Sequence, residues 1–272
     1  MSDPLLSIRN LSIDYVGATS DFHAVKNVSF DIARGEFFGL AGESGCGKST
    51  IAFAISRLHR PPAIIRKGSQ IVLDGRDVLT LDDAELRQLR WREVAMVFQS
   101  AMNSLNPVLT IEDQFHDVLK THTGMSRSAA RARAAELLAL VDIAADRLSA
   151  YPHQLSGGMR QRVVIAMCLA LNPKLLIMDE PTTALDVVVQ REILERIHKL
   201  RQELGFAVLF ITHDLALMVQ VSDRIGIMLE GELVEVNDAQ AIYRSPQHDY
   251  TRKLWASMPR LGGERAGEGA AS

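Results

Sequence analysis

Residues 42–49, GESGCGKS, fit the pattern G-x-x-x-x-G-K-[ST] at every fixed position. An apolar run, Phe37 to Ala41, precedes them and reads as a buried strand, while Thr50 to Leu58 behind them is helix-compatible. Strand, glycine-rich loop and helix form the context that gives this pattern meaning, and they commit the chain to an α/β core. Glycines let backbone N–H groups wrap phosphate oxygens, and the helix N-terminus adds partial positive charge. Gly42, Glu43, Ser44, Gly45, Cys46, Gly47, Lys48, Ser49 and Thr50 are therefore expected to cradle a nucleoside triphosphate. Lys48 would reach the β and γ phosphates, and the Ser49 hydroxyl is placed to ligate Mg2+. A glycine-rich turn matching by chance is the competing reading of this motif taken alone, and further motifs downstream displace it.

With 272 residues the chain has enough length for a large core, as one domain with a subdomain or as two small domains. The composition, 47% hydrophobic and 23% charged, is that of a soluble globular protein. A formal net charge of -3 argues against general attraction to nucleic acid or acidic lipid. No apolar run approaches the roughly 20 residues that span a bilayer. The N-terminal MSDPLLSIRN has neither the basic nor the apolar region of a signal peptide. The chain is thus expected to stay in the cytoplasm, with any membrane attachment supplied by another protein. Cys46 and Cys168 make no disulfide framework and have no metal-ligand spacing. Cys168 reads as core filler on an apolar helix face. Cys46 is either a small residue that fits its loop or a thiol whose alkylation would block nucleotide.

Secondary-structure patterns divide the chain. Leu6, Ile8, Leu11 and Ile13 alternate in part, Ala24 to Ile32 alternates apolar and polar residues, and Asp74-Gly75 within IVLDGRDV is a strong hairpin signal. These predict an N-terminal antiparallel β-subdomain. Val94 to Phe98, Leu175 to Met178, Phe206 to Ile211 and Ile225 to Leu229 are short and almost wholly apolar, as parallel strands covered on both faces should be. From about residue 100 to 160 the chain reads as an inserted helical subdomain, with Ser126 to Leu140 a capped amphipathic helix. Residues 1–260 are expected to form the folded unit, and 261–272, rich in glycine, alanine and glutamate, a disordered tail.

Leu175 to Glu180, LLIMDE, is an apolar strand ending in two acids. Asp179 at its edge can hold Mg2+, through water, and Glu180 can polarise a water molecule against the γ-phosphate. Phosphoryl transfer is mostly positioning and charge neutralisation, so this small set suffices. Solvated carboxylates at a strand end are the competing reading.

Leu155 to Gln161, LSGGMRQ, decides between them. With this element the chain resembles the ATP-binding subunits of ABC transporters from Tyr15 to about Arg260. The resemblance implies that Tyr15 stacks on adenine, and that Gln99 contacts Mg2+ and the attacking water while its loop touches a membrane subunit. It implies that Asp186, in TALD, belongs to the loop facing the second nucleotide site, although Thr183 stands where serine is more common. It makes His213, in ITHD, the sensor of the γ-phosphate. Ser156, Gly157 and Gly158 open the helix expected over Met159 to Leu171 and offer an anion site at its positive end. In this family that site closes on the γ-phosphate of a second subunit, so the resemblance implies a nucleotide sandwich dimer with Lys48, Gln99, Glu180 and His213 as the catalytic set of each half.

SAMNSLNPVLTI, residues 100–111, and SPQHDYTRKLWASMP, residues 245–259, resemble the peptide and nickel importer branch. Asp249 replaces a usual proline, and no cysteine follows Cys168, which excludes an iron–sulfur cluster there. The branch implies di- or oligopeptide cargo first, then β-linked oligosaccharides, then nickel. It also implies two integral-membrane permeases, an external solute-binding protein and a second, different ATPase subunit rather than a homodimer. The expected location is the cytoplasmic face of the inner membrane. The alternative is a soluble ABC ATPase serving a cytoplasmic enzyme complex.

Overall fold

The computed structural model describes residues 3–17, 20–99, 104–181 and 185–256. Its strands are β1 (Leu6–Tyr15), β2 (Phe22–Ile32), β3 (Phe37–Gly42), β4 (Ala63–Ile65), β5 (Gln70–Leu73), β6 (Arg76–Asp77), β7 (Val94–Val97), β8 (Leu175–Asp179), β9 (Ala207–Ile211), β10 (Arg224–Leu229) and β11 (Glu232–Asp238). The α-helices are α1 (Lys48–Ile55), α2 (Asp83–Arg92), α3 (Ile111–Thr123), α4 (Arg127–Leu140), α5 (Gly157–Cys168), α6 (Val187–Leu204), α7 (Leu215–Val221), α8 (Ala239–Arg244) and α9 (Asp249–Ala256).

Two sheets organise these elements. The larger runs β11-β10-β3-β9-β8-β7, and each neighbouring pair is parallel except β10 with β11. The smaller is antiparallel, β2-β1-β5-β6, with β4 added beside β1. β3, β8 and β9 are buried along their whole lengths. Their side chains alternate between two cores, as the period-2 pleat requires. Leu176, Met178, Val208 and Phe210 join Phe115 and Ile165 on the helical side. Leu175, Ile177, Leu209 and Ile211 join Ile8, Ile51 and Leu73 between the sheets. Two apolar faces on one strand explain why these segments read as continuous apolar runs.

The predicted layout stands, with adjusted edges. Asp74 and Gly75 adopt φ of 48° and 79°, the left-handed pair that a tight hairpin between β5 and β6 needs. Residues 104–156 contain no strand, and α3 and α4 form an antiparallel pair whose N-caps are Thr110 and Ser126. The helix expected over Met159 to Leu171 is instead Gly157–Cys168. Ser156 is its N-cap, accepting from the Met159 N–H at 3.3 Å, so both glycines lie inside the first turn. The helix expected from Thr50 to Leu58 begins at Lys48 and closes at Ile55. Cys168 is buried, and burial pushes its thiol up to about 12, in keeping with a core role. The boundary at 260 and the tail 261–272 lie outside the described residues, as do Thr183 and residues 100–103.

Asp74, at the tip of the β5–β6 hairpin, ties the small sheet to the core. It pairs with Lys174, which precedes β8, and with Arg34, which precedes β3. Lys174 first and Arg34 second hold the Asp74 carboxyl at about 2, below its ordinary 3.8. A depressed carboxyl contributes stability above its unfolded value and loses it as pH falls through the folded value. Asp74→Asn keeps a side chain that tolerates positive φ and removes the charge. We expect it to lower stability by about 0.2–1 kcal/mol at pH 7, the range for surface pairs. Urea unfolding should show that difference constant down to about pH 4 and shrinking below it.

Candidate functional site

The loop after β3 turns on Gly47, whose φ is 101° and whose missing Cβ would lie 2.4 Å from the Ala24 carbonyl oxygen. No side chain fits there, so the first turn of α1 packs directly against β2. Lys48 is buried, and its Nζ donates to the carbonyl oxygens of Gly42 (2.8 Å) and Glu43 (2.7 Å) and lies 3.4 Å from Cys46 Sγ. A buried ammonium needs such acceptors. The loop thus carries its own cation at the place where phosphate charge would be held. Glu43, Ser44 and Gly45 are exposed, while Ser49 and Thr50 are half-buried in the first turn of α1.

Parallel registry gathers the remaining groups. β7, β8 and β9 are adjacent and run in one direction, with Val97 opposite Met178 and Asp179 opposite Ile211. Gln99, Glu180 and His213 follow these strand ends by one or two residues, so all three emerge at the same edge, the side where open α/β sheets carry ligands. Gln99 Nε2 donates to Glu180 Oε2 at 3.1 Å, and His213 Nδ1 lies 3.4 Å from Glu180 Oε1. Glu180 adopts φ of 45°, an uncommon left-handed conformation for a residue with a side chain, while its N–H extends the ladder to the Ile211 carbonyl at 2.9 Å. The strand therefore ends abruptly, and the two successive acids face different partners. Asp179 is buried, and Ser49 Oγ donates to its Oδ1 at 3.0 Å. Burial pushes the Asp179 carboxyl up and the neighbouring Glu180 charge adds to this, while the Ser49 hydroxyl and Lys48 oppose it.

These oxygens suit a hard divalent cation. Among the described residues no group of three His, Cys, Asp or Glu side chains could hold a metal. Mg2+ is commonly held by one or two protein oxygens together with substrate phosphates, and the buried Asp179 carboxylate beside the Ser49 hydroxyl offers such a pair. Gln99 stands beside Glu180 and is the third candidate donor.

A cleft of about 350 Å³ opens beside the loop, lined by Glu43, Ser44, Gly45 and Cys46 and also by Phe22, His23, Lys26 and Glu230. The latter group carries no motif. Phe22 and His23 reach the cleft because β2 pairs with β1, and Glu230 because the β10–β11 turn abuts Ala24. Tyr15, half-buried at the end of β1, is not among these lining residues, whereas its cross-strand partner Phe22 is.

The LSGGMRQ turn and Asp186 come together. A Cβ on Gly158 would lie 2.8 Å from Val189 Cγ1, so α5 and the first turn of α6 approach closely. Asp186 caps α6, accepting from the N–H groups of Val188 (3.1 Å) and Val189 (3.0 Å). Ser156 and Asp186 are exposed, as are Val187 and Val188 (78% and 68%). None of the hydrogen bonds described above joins this face to the Lys48–Glu180 cluster.

The family model for ABC transporters matches residues 25–183. The peptidoglycan transport ATP-binding protein of Agrobacterium fabrum is 47% identical over 261 residues, covering 95% of this chain and 48% of that protein. In Bacillus subtilis, the dipeptide transport ATP-binding protein is 42% identical (95% and 78% coverage), and the oligopeptide transport ATP-binding protein is 43% identical (97% and 74%). The chain thus spans about half the length of the first relative and about three quarters of the other two. A solved dimeric ATP-binding cassette in a post-hydrolysis state, bound to ADP and phosphate, superposes with a TM-score of 0.75 at 33% identity. It covers 86% of this chain and 98% of that one.

If Lys48 is the phosphate-facing cation, Lys48→Ala should weaken ATP binding about 10- to 150-fold, the range for hydrogen bonds to a charged group. Isothermal titration with ATP measures this, and unchanged affinity would place the phosphates elsewhere.

Proposed function

The chain belongs to the ABC transporter family, and from that premise we propose that it is the ATP-hydrolysing motor subunit of an importer for di- or oligopeptides. The observation that carries this reading is the convergence of Lys48, Ser49, Gln99, Asp179, Glu180 and His213 at one edge of the parallel sheet. That set contains a phosphate cation, a pair of metal-binding oxygens, a carboxylate base and the two groups that orient it.

In this mechanism Lys48 leaves the loop carbonyls for phosphate oxygens, and the loop N–H groups hold the rest of the triphosphate. Ser49 and Asp179 are the residues that would hold a divalent cation, which would supply neutralisation of phosphate charge. Glu180 accepts the proton of the attacking water, with Gln99 and His213 fixing its carboxylate from either side. Tyr15 stacks on adenine. Ser156, Gly157 and Gly158 act on the nucleotide of a second ATPase subunit, as does the Asp186 turn packed beside them. The exposed Val187 and Val188 become buried in that contact. We favour a different ATPase subunit as the partner over a second copy of this chain.

Closure of the pair on ATP pulls on two integral-membrane permeases seated near the Gln99 loop, and hydrolysis reopens it. No helix among the described residues is long and apolar enough to cross a membrane, and we place the chain peripherally on the cytoplasmic face. Cargo arrives from an external solute-binding protein. Two of the relatives named above are named for dipeptide and oligopeptide transport. This supports peptide cargo over β-linked oligosaccharides or nickel, and a transport motor over a soluble accessory ATPase.

Glu180→Gln should cut ATP turnover by about 10²–10⁴-fold, the span for losing a general base, while ATP still binds. Near-normal hydrolysis in that variant removes Glu180 from its role. Capture of the tagged chain from detergent-solubilised membranes should recover two permeases and a second ATPase subunit. Recovery of soluble enzymes alone would instead support the accessory reading.

A further inference from the structure

The C-terminal helix α9 reaches the phosphate loop. Tyr250, in its first turn, accepts at its Oη a hydrogen bond of 3.3 Å from the Glu43 N–H. The placement of this tyrosine is built from several sides. Glu235 on β11 accepts from the backbone N–H groups of Gln247 (2.8 Å) and His248 (3.0 Å), which fixes the entry to α9. The Tyr250 N–H donates to His248 Nδ1 at 3.2 Å. The rings of Tyr250 and Trp255 and the Leu254 side chain pack against the main core, and Trp255 meets Tyr243 edge to face at 5.2 Å. Burial first, and the nearby Glu43 charge, push the Tyr250 phenol above its ordinary range. It therefore stays neutral at physiological pH and accepts from an amide without bringing a charge to the loop.

The Glu43 backbone, whose N–H and carbonyl belong to two successive peptide units, explains what this contact can do. Its N–H is held by Tyr250, while its carbonyl accepts from Lys48 Nζ at 2.7 Å and from the Cys46 N–H at 3.4 Å. When the Lys48 ammonium turns to a phosphate, the Gly42 and Glu43 carbonyls lose their main donor. The tyrosine remains, anchored on a helix outside the loop. A loop that must aim successive N–H groups at one ligand binds better when its shape is set beforehand.

Resting on the reading of this loop as the ATP site, we propose that Tyr250 is a positioning residue for nucleotide: its hydroxyl holds the first corner of the phosphate loop in binding-ready shape. Its hydroxyl meets the phosphate loop at the Glu43 N–H, so it acts on affinity and leaves the chemical step alone. The C-terminal segment thereby becomes part of the nucleotide site.

The test compares full-length wild type, Tyr250→Phe and Tyr243→Phe. Tyr250→Phe removes one oxygen and keeps the packed ring. It should raise the Kd for ATP and for ADP, and the KM for ATP, by about 2- to 10-fold, the span of one neutral hydrogen bond. Its kcat at saturation and its melting temperature should stay at wild-type values, and Tyr243→Phe should match wild type throughout. An unchanged Kd overturns the proposal. So does a lowered melting temperature with affinity intact, which is the result a packing role gives, and so does a loss confined to ATP. Wild-type chain that binds no ATP would overturn the reading of the site itself, an outcome distinct from a tyrosine without effect.

Discussion

The hydrogen bond from Ser49 to Asp179 joins the phosphate loop to the acidic strand end, and the rest of the site is arranged around it. β9 lies between β3 and β8 in the sheet, so the contact holds only because α1 lies back across the strands. Ile51, Ala52, Ala54 and Ile55 bury that helix between the sheets. Asp179, one of the few buried acids, is costly unless something compensates its charge. The Ser49 hydroxyl compensates part of it, and the proposed cation the remainder. In the proposed mechanism, structural stability and nucleotide chemistry are therefore coupled at one carboxylate.

The second acid follows a different logic. Asp179 ends a buried strand, whereas the left-handed turn at Glu180 aims the next carboxylate toward groups from both flanking strands. Orientation by Gln99 and His213 is what a water-activating base requires. In the proposed mechanism this arrangement is half of a site, and the start of α5 and the Asp186 turn form an exposed face with Val187 and Val188 beside them. Such a face gains by meeting another cassette. The solved relative is dimeric in its nucleotide-bound state, which agrees with this division of labour.

Most of this was legible because motifs and apolar runs are local. Strands covered on both faces announce themselves as apolar tetrads and pentads, and the loop pattern fixes the identities of Lys48 and Ser49. Three features escaped. β11 follows a turn at Glu230-Gly231, where φ is positive at both residues but the dipeptide lacks the asparagine or aspartate that usually marks such a hairpin. The cleft residues Phe22, His23 and Lys26 are brought to the loop by strand pairing, a long-range property with no sequence period. Gly158 reads as part of an anion-binding turn, yet its contact with Val189 sets the approach of α5 to α6 as well. Helix edges shifted for a simpler reason. A serine N-cap moves the start of α5 to Gly157, and glycine gives no hint of helix by propensity.

The proposed nucleotide chemistry depends on Asp179 and Ser49 as the cation-binding pair. Equilibrium titration of ATP into the chain with Mg2+, and again with the metal chelated, measures that directly in wild type and in Asp179→Asn. Asparagine preserves the acceptor for Ser49 and removes the charge. The account predicts that Mg2+ tightens ATP binding to wild type and that most of this gain disappears in Asp179→Asn. Equal tightening in both proteins would contradict it, because the cation would then be held by phosphate alone or by other residues.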